Sequence, residues 1–245
     1  MICRTTLIYS AEGTDSILSD FGVKLHGALM NIIPKPLAAY LHTTEIQPFS
    51  ISCRRQNDII LAVVNALEPR AFPLCEAVRE CREITVYGMD SPLQLLSSEL
   101  AAAEQFSSIF GRFMAEMPPE RILRVSLVSP ATVKSNGVPS CPPDIVKYFR
   151  SVVRKYNTFE QGLLSFEEFE AVFGRIRPER FSLNGSSFNK SGTKLPGLTG
   201  FVEIPLPRDN AHAELIAGMA KYAEYSGLGG KTAMGMGCCT AEWVK

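Results

Sequence analysis

The chain has 245 residues, 46% of them hydrophobic, with 25 basic and 25 acidic side chains and a formal net charge of zero. That is enough apolar material for one large or two small cores, and no run approaches the roughly eighteen apolar residues that a membrane span needs. Balanced charge also argues against a generic nucleic-acid binder that is basic over its whole surface.

From the N-terminus, residues 3–10 (CRTTLIYS) alternate as a strand and lack the regions of a leader peptide. Residues 20–33 (DFGVKLHGALMNII) have helical spacing, with 18–33 as the full extent of that helix. Strands are expected at 48–55 and 58–67, with RQND between them as a hairpin signal. A helix at 71–80 and a strand at 83–89 complete a βαββαβ order, the ferredoxin-like arrangement. The Ala/Ser-rich stretch 93–114 reads as a helix that ends before Pro118-Pro119, the best linker.

The second half repeats the plan. A strand is expected at 121–133, a proline-led helix at 142–159 and a short helix at 166–174. Paired strands at 178–188 and 200–207 would be joined by a basic, flexible loop at 189–199. A helix at 212–226, a glycine-rich loop and a strand at 238–244 close the chain. The expected fold is therefore α+β, with tandem ferredoxin-like (βαββαβ, RRM-like) domains at 1–117 and 118–245. The seven cysteines form no CxxC pair, which predicts reduced thiols, a cytoplasmic protein and no zinc site.

The loop SGLGGKTAMGMGC holds Gly227, Gly229, Gly230, Gly235 and Gly237 beside Lys231 and Thr232. Its GKT ending is that of a nucleotide-binding P-loop, but Tyr225 stands where the motif's first glycine belongs, and a helix rather than a strand precedes it. A dinucleotide fingerprint fails too, because Thr232 occupies its third small position. Two readings stay open: a compact helix-to-strand connection, or backbone N–H groups presented to phosphate. Charge is unevenly spread. Residues 1–117 carry 9 basic and 13 acidic side chains, and 118–245 carry 16 and 12. Most of the excess lies in 171–200, where Arg175, Arg177, Arg180, Lys190 and Lys194 face only Glu179. This run is either a solvated face or a phosphate-binding one.

The segment LTGFVEIPL (198–206), then a helix, then YSGLGGKTAMGMG (225–237) resembles the C-terminal signature of the repeat-processing endoribonucleases of CRISPR systems. These belong to the repeat-associated RNA-binding superfamily. Residues 25–52 are similar to that family's first helix, following turn and second strand, whereas about 90–170 carry no recognisable match. The resemblance implies a protein that binds CRISPR repeat RNA and cuts it without metal or cofactor. The ribose 2′-hydroxyl would attack the adjacent phosphate, leaving a 2′,3′-cyclic phosphate and a 5′-hydroxyl. It also implies that the loop glycines, Lys231 and Thr232 face RNA; the charge excess in 171–200 adds Arg175, Arg177, Lys190 and Lys194 as expected phosphate contacts.

Such cleavage needs a base, an acid and a donor for the phosphorane charge, and histidine suits the first two. Of three histidines, His42 lies where family members often carry the catalytic one. His26 sits on the border of the first helix's apolar stripe, and His212 opens the last helix, where capping or solvation suits it. The family's usual helix tyrosine is Met30 here, and no lysine follows His42 in TTEIQPF. Tyr40, Lys24 or a base from the second domain stand as substitutes. A non-cleaving RNA-binding subunit of a CRISPR effector complex and a small-molecule enzyme on the same scaffold are the alternatives. A homodimer, or association with other effector subunits, is left open.

Overall fold

The computed structural model describes residues 1–11, 21–89, 91–190 and 192–244. In the first half, β1 (Ile2–Ser10) leads to α1 (Phe21–Ile32) and α2 (Lys35–Thr43). These are followed by β2 (Phe49–Gln56), β3 (Ile59–Ala66), α3 (Phe72–Glu80), a two-residue β4 (Glu83–Ile84) and β5 (Leu93–Glu104). The sheet order is β2-β3-β1-β5-β4 and its pairings are antiparallel. Alternation drives the packing. Cys3, Leu7 and Tyr9 of β1 and Ile60, Ala62 and Val64 of β3 are buried against Leu25 and Leu29 of α1 and Leu74 and Val78 of α3.

After α4 (Phe106–Ala115), the second half runs β6 (Ile122–Ala131), β7 (Val133–Ser135), β8 (Val138–Ser140), α5 (Ile145–Phe159) and α6 (Phe166–Phe173). It ends with β9 (Arg180–Lys190), β10 (Thr193–Pro205), α7 (Asn210–Ser226) and β11 (Cys239–Trp243). Its main sheet has the order β11-β6-β10-β9, and β7-β8 forms a separate small hairpin. In both sheets the first strand of the unit is central, between its third and fourth. The protein is α+β, with tandem ferredoxin-like units.

Four expectations change. The stretch 93–114 is not one helix: Leu93–Glu104 is a strand along β1, with Thr5 opposite Leu100 and Leu7 opposite Ser98. The open edge of β1 decides this, because β4 is only two residues long and pairs with β5 instead. The fourth strand expected at 83–89 is therefore β5. Residues 189–199 are mostly strand rather than flexible loop, since β9 and β10 pair from Lys190 opposite Thr193 to Arg180 opposite Glu203; residue 191 lies outside the described residues. The turn before β2 is largely α2, which Pro34 and Pro36 flank at its start. The proposed start of the first helix at 18–20 also lies outside the described residues.

Helix α4 docks on the second core. Phe106 is buried, edge-on to Tyr222 of α7 at 5.0 Å, with Tyr156 of α5 at 6.1 Å. Phe113 stacks on Trp243 at 4.7 Å, and the Trp243 indole N–H donates to the Phe113 carbonyl. Truncating a buried aromatic removes its transfer energy and leaves a cavity. Phe106→Ala should therefore lower stability by about 3–5 kcal/mol in urea unfolding. A loss below about 1 kcal/mol would mean that α4 is only loosely attached.

Candidate active site

The apolar stripe of α1 (Phe21, Leu25, Ala28, Leu29) is buried, which leaves His26 at its margin, half-buried and stacked on Phe49 at 5.8 Å and 9°. Met30, where the resemblance would place a tyrosine, is buried in the first core and offers no chemistry. In α2, Leu41 is buried and His42 stands exposed in the last turn. The two imidazoles meet edge to face, with centroids 5.9 Å apart.

The glycine loop reaches this pair from the other half of the molecule. A close approach of backbones brings it there: a β-carbon on Gly22 of α1 would lie 2.5 Å from the Met234 carbonyl, and one on Gly235 would lie 3.0 Å from the Gly22 α-carbon. The Ala233 carbonyl then sits 3.0 Å from His26 Nδ1. A carbonyl can only accept, so Nδ1 carries the hydrogen and Nε2 keeps its lone pair. Burial pushes the His26 pKa below 6.5; the Ala233 hydrogen bond opposes this and His42 adds to it.

The loop's amides are mostly committed internally. Gly229 N–H donates to Ser151 Oγ at 2.8 Å and to the Tyr148 carbonyl at 3.3 Å, and Gly230 N–H donates to the Thr132 carbonyl at 2.7 Å. Gly227, Gly235 and Gly237 donate to the Ala223, Thr232 and Pro130 carbonyls. This corrects the expectation that glycine N–H groups face phosphate, because these donors are already used. The glycines instead supply shape. Gly229 has φ +77°, and a β-carbon there would lie 2.2 Å from the Thr132 carbonyl oxygen.

Charge comes from side chains. Lys231 is exposed, and its pKa is lowered by burial and then by Lys190 and Lys134, so three ammonium groups share one corner. Lys190 arrives there because Phe188 and Leu195 of the β9–β10 hairpin pack on Met236 and Val23. A cleft of about 920 Å³ joins these parts, lined among others by His26, His42, Lys134, Arg150, Arg154 and Lys231. Arg154 pairs with Glu45 at 3.1 Å across the cleft, and Arg150 pairs with Glu170. Among the described residues, no three His, Cys, Asp or Glu side chains gather to hold a metal ion, and no helix is long and apolar enough to cross a membrane.

The other candidates lie elsewhere. His212 is 3.4 Å from Asp209 at the start of α7, where Asp209 itself is the cap. The Tyr40 hydroxyl donates to Glu68, and Arg70 covers its ring. Lys24 approaches the turn at Gly88. Arg177 donates to the Gly174 and Ile176 carbonyls and borders an adjoining groove with Lys147 and Arg150. Arg175 and Lys194 are exposed and do not line the cleft.

Five basic cleft residues were not foreseen: Lys134, Lys147, Arg150, Arg154 and Lys155. Lys155 of α5 is only 6% exposed, and burial lowers its pKa to about 7, partly offset by the Cys239 thiol. Its sequence signal was legible: it continues the helical spacing of Ile145, Tyr148 and Val152, where an apolar residue belongs.

Two outcomes follow from this geometry. Gly229→Ala should cost about 2–4 kcal/mol in chemical denaturation, through left-handed strain and a displaced Thr132, whereas Gly230→Ala has room and should be nearly neutral. A stable Gly229→Ala protein would restore a purely ligand-facing role. His26 should titrate below pH 6.5 by NMR. Because the unfolded chain takes up this proton more readily, His26 contributes stability that is present above about pH 6.5 and is lost as pH falls through its folded pKa. A His26→Gln variant should flatten that part of the stability profile; an identical slope would contradict the shift.

The sequence profile described as CRISPR-associated endoribonuclease Cas6 matches residues 125–239. The chain is 27% identical over 232 residues to the CRISPR-associated endoribonuclease Cas6 of Mycobacterium tuberculosis strain H37Rv, covering 92% of this chain and 73% of that protein. It is 23% identical over 249 residues to the protein of the same description from Streptococcus thermophilus, covering 94% and 95%. Among solved structures, a Cas6 product complex superposes with a TM-score of 0.80 at 20% identity, over 99% of this chain and 100% of that one. Profile, relatives and fold point the same way: the chain is similar to proteins described as CRISPR-associated endoribonuclease Cas6, over residues 125–239 by profile and over most of its length by relatives and fold.

Proposed function

We propose that the protein binds CRISPR repeat RNA in the cleft between its two units, 1–117 and 118–245, and cleaves it by 2′-hydroxyl attack without a metal ion. The observation that carries this reading is the imidazole pair, 5.9 Å apart, beside Lys231 in one open cleft. Relatives described as endoribonucleases, and the similarity to a product complex, support it.

In this mechanism neutral His26, anchored through Nδ1, accepts the 2′-hydroxyl proton at Nε2. His42, exposed 5.9 Å away, protonates the leaving 5′-oxygen. Lys231, with Lys190 and Lys134 behind it, stabilises charge on the phosphorane, and Arg150 and Arg154 hold flanking phosphates. The products are a 2′,3′-cyclic phosphate and a 5′-hydroxyl. Such a protein works in the cytoplasm, alone, as a homodimer or beside other effector subunits.

The test is cleavage of the repeat encoded beside its gene, in EDTA, with product ends identified by mass spectrometry. Single-turnover rates of His42→Ala and His26→Ala should each fall by about 10²-fold or more, with RNA affinity nearly unchanged. Rates within threefold of wild type in both variants would overturn the assignment. Tight binding by the wild type with no cleavage would identify an RNA-binding subunit instead.

A further inference from the structure

Lys155 presents a physical problem that the proposed chemistry does not solve. It occupies an apolar position on α5, is 6% exposed, and among the described residues no carboxylate pairs with it. Burying an amine in such a slot is unfavourable relative to methionine or leucine, which would fill the stripe. Its Nζ makes two contacts. It donates to the Ser226 carbonyl, the last of α7, and to Thr232 Oγ1 at 2.6 Å. The first is an ordinary helix cap. The second is not needed for a cap.

Thr232 opens the short 3₁₀ turn Thr232–Met234, and the next residue, Ala233, supplies the carbonyl that accepts from His26 Nδ1 at 3.0 Å. Position in the turn therefore translates into orientation of an imidazole on the opposite unit. The Thr232 hydroxyl, which a phosphate-loop reading would aim at a nucleotide, is instead held by α5. Resting on the assignment of His26 above, we propose that Lys155 is a positioning residue: acting through Thr232, it fixes the turn whose Ala233 carbonyl holds His26 in the tautomer with Nε2 unprotonated. Nζ donates in either protonation state, so the role does not depend on its charge.

The test separates this role from capping. Thr232→Val removes the acceptor with little change of shape and leaves the Ser226 contact, whereas Thr232→Ser keeps the acceptor. In ¹⁵N-labelled protein without RNA, long-range ¹H–¹⁵N spectra should show His26 as the Nδ1–H tautomer in the wild type and in Thr232→Ser. Thr232→Val and Lys155→Met should show a mixture of tautomers, with single-turnover cleavage slowed about tenfold and RNA Kd within about twofold. A wild-type tautomer in Thr232→Val would overturn the proposal and leave Lys155 as a cap for α7. The spectra decide the matter even if the wild type cuts no RNA, so failure of the cleavage reading is separately visible. Should Lys155→Met not fold, the two Thr232 variants carry the test alone.

Discussion

The last turn of α7 ends in four carbonyls with no partner inside the helix, and their satisfaction organises the molecule. Ala223 accepts from Gly227 N–H at 2.7 Å, and so begins the glycine loop. Glu224 accepts from Arg4 of β1 at 3.2 Å, and Tyr225 accepts from Ser50 of β2 at 2.6 Å. Ser226 accepts from Lys155 of α5. Two of the four partners thus come from the first sheet, joined by Asn65, which accepts from Arg4 and donates to Ser50. Arg4 also lies 4.1 Å over the Tyr225 ring. A cation at a helix C-terminus also meets the negative end of the dipole. The units are therefore locked together at the point where the loop departs, which fixes its direction toward α1.

Glycine richness in that loop serves shape more than recognition. Gly229 and Gly237 fold it against Thr132 and Leu228, where any β-carbon would lie 2.2 Å or 2.0 Å from a carbonyl oxygen. Gly22 and Gly235 let two backbones touch, so the Ala233 carbonyl reaches His26. On the proposed mechanism the loop acts on the RNA twice, through Lys231 and through the tautomer it imposes on His26. Neither effect requires a free glycine amide.

Much of the fold was legible because the signals were local. Alternation marked β1 and β6, helical spacing marked α1, α5 and α7, and RQND marked the hairpin between β2 and β3. Residues 93–104 were illegible because alanine and serine leave both periods weak, and their strand depends on an edge of β1 more than eighty residues away. The length of the β9–β10 hairpin was hidden in the same way, since Lys190 and Thr193 look like loop residues until their strands pair. At the site, His42 and His26 were visible as residue types but not as a pair: α2 turns the chain so that positions sixteen apart meet, and Pro34 and Pro36 alone hinted at it. Lys155 was visible only as a break in a stripe, with nothing to tell its partners.

Zero net charge and a polyanionic ligand are compatible because the cleft's cations are held by replaceable anions. Arg154 and Glu45 are 53% and 88% exposed, and Arg150 and Glu170 are 57% and 42% exposed. Pairs this solvated contribute about 0–1 kcal/mol each, so exchanging a carboxylate for a phosphate costs little. The pairs nonetheless keep both guanidiniums on the cleft wall, so less side-chain freedom is lost when a phosphate arrives. The ammonium groups of Lys134, Lys190 and Lys231 differ: burial first, and then the repulsion of Lys190 and Lys134, lowers the Lys231 pKa, and an anion between them would relieve that repulsion. On the proposed function the arginines would thus receive a polyanion at little cost, while the lysine corner would have the stronger electrostatic reason to draw the phosphate beside the histidines.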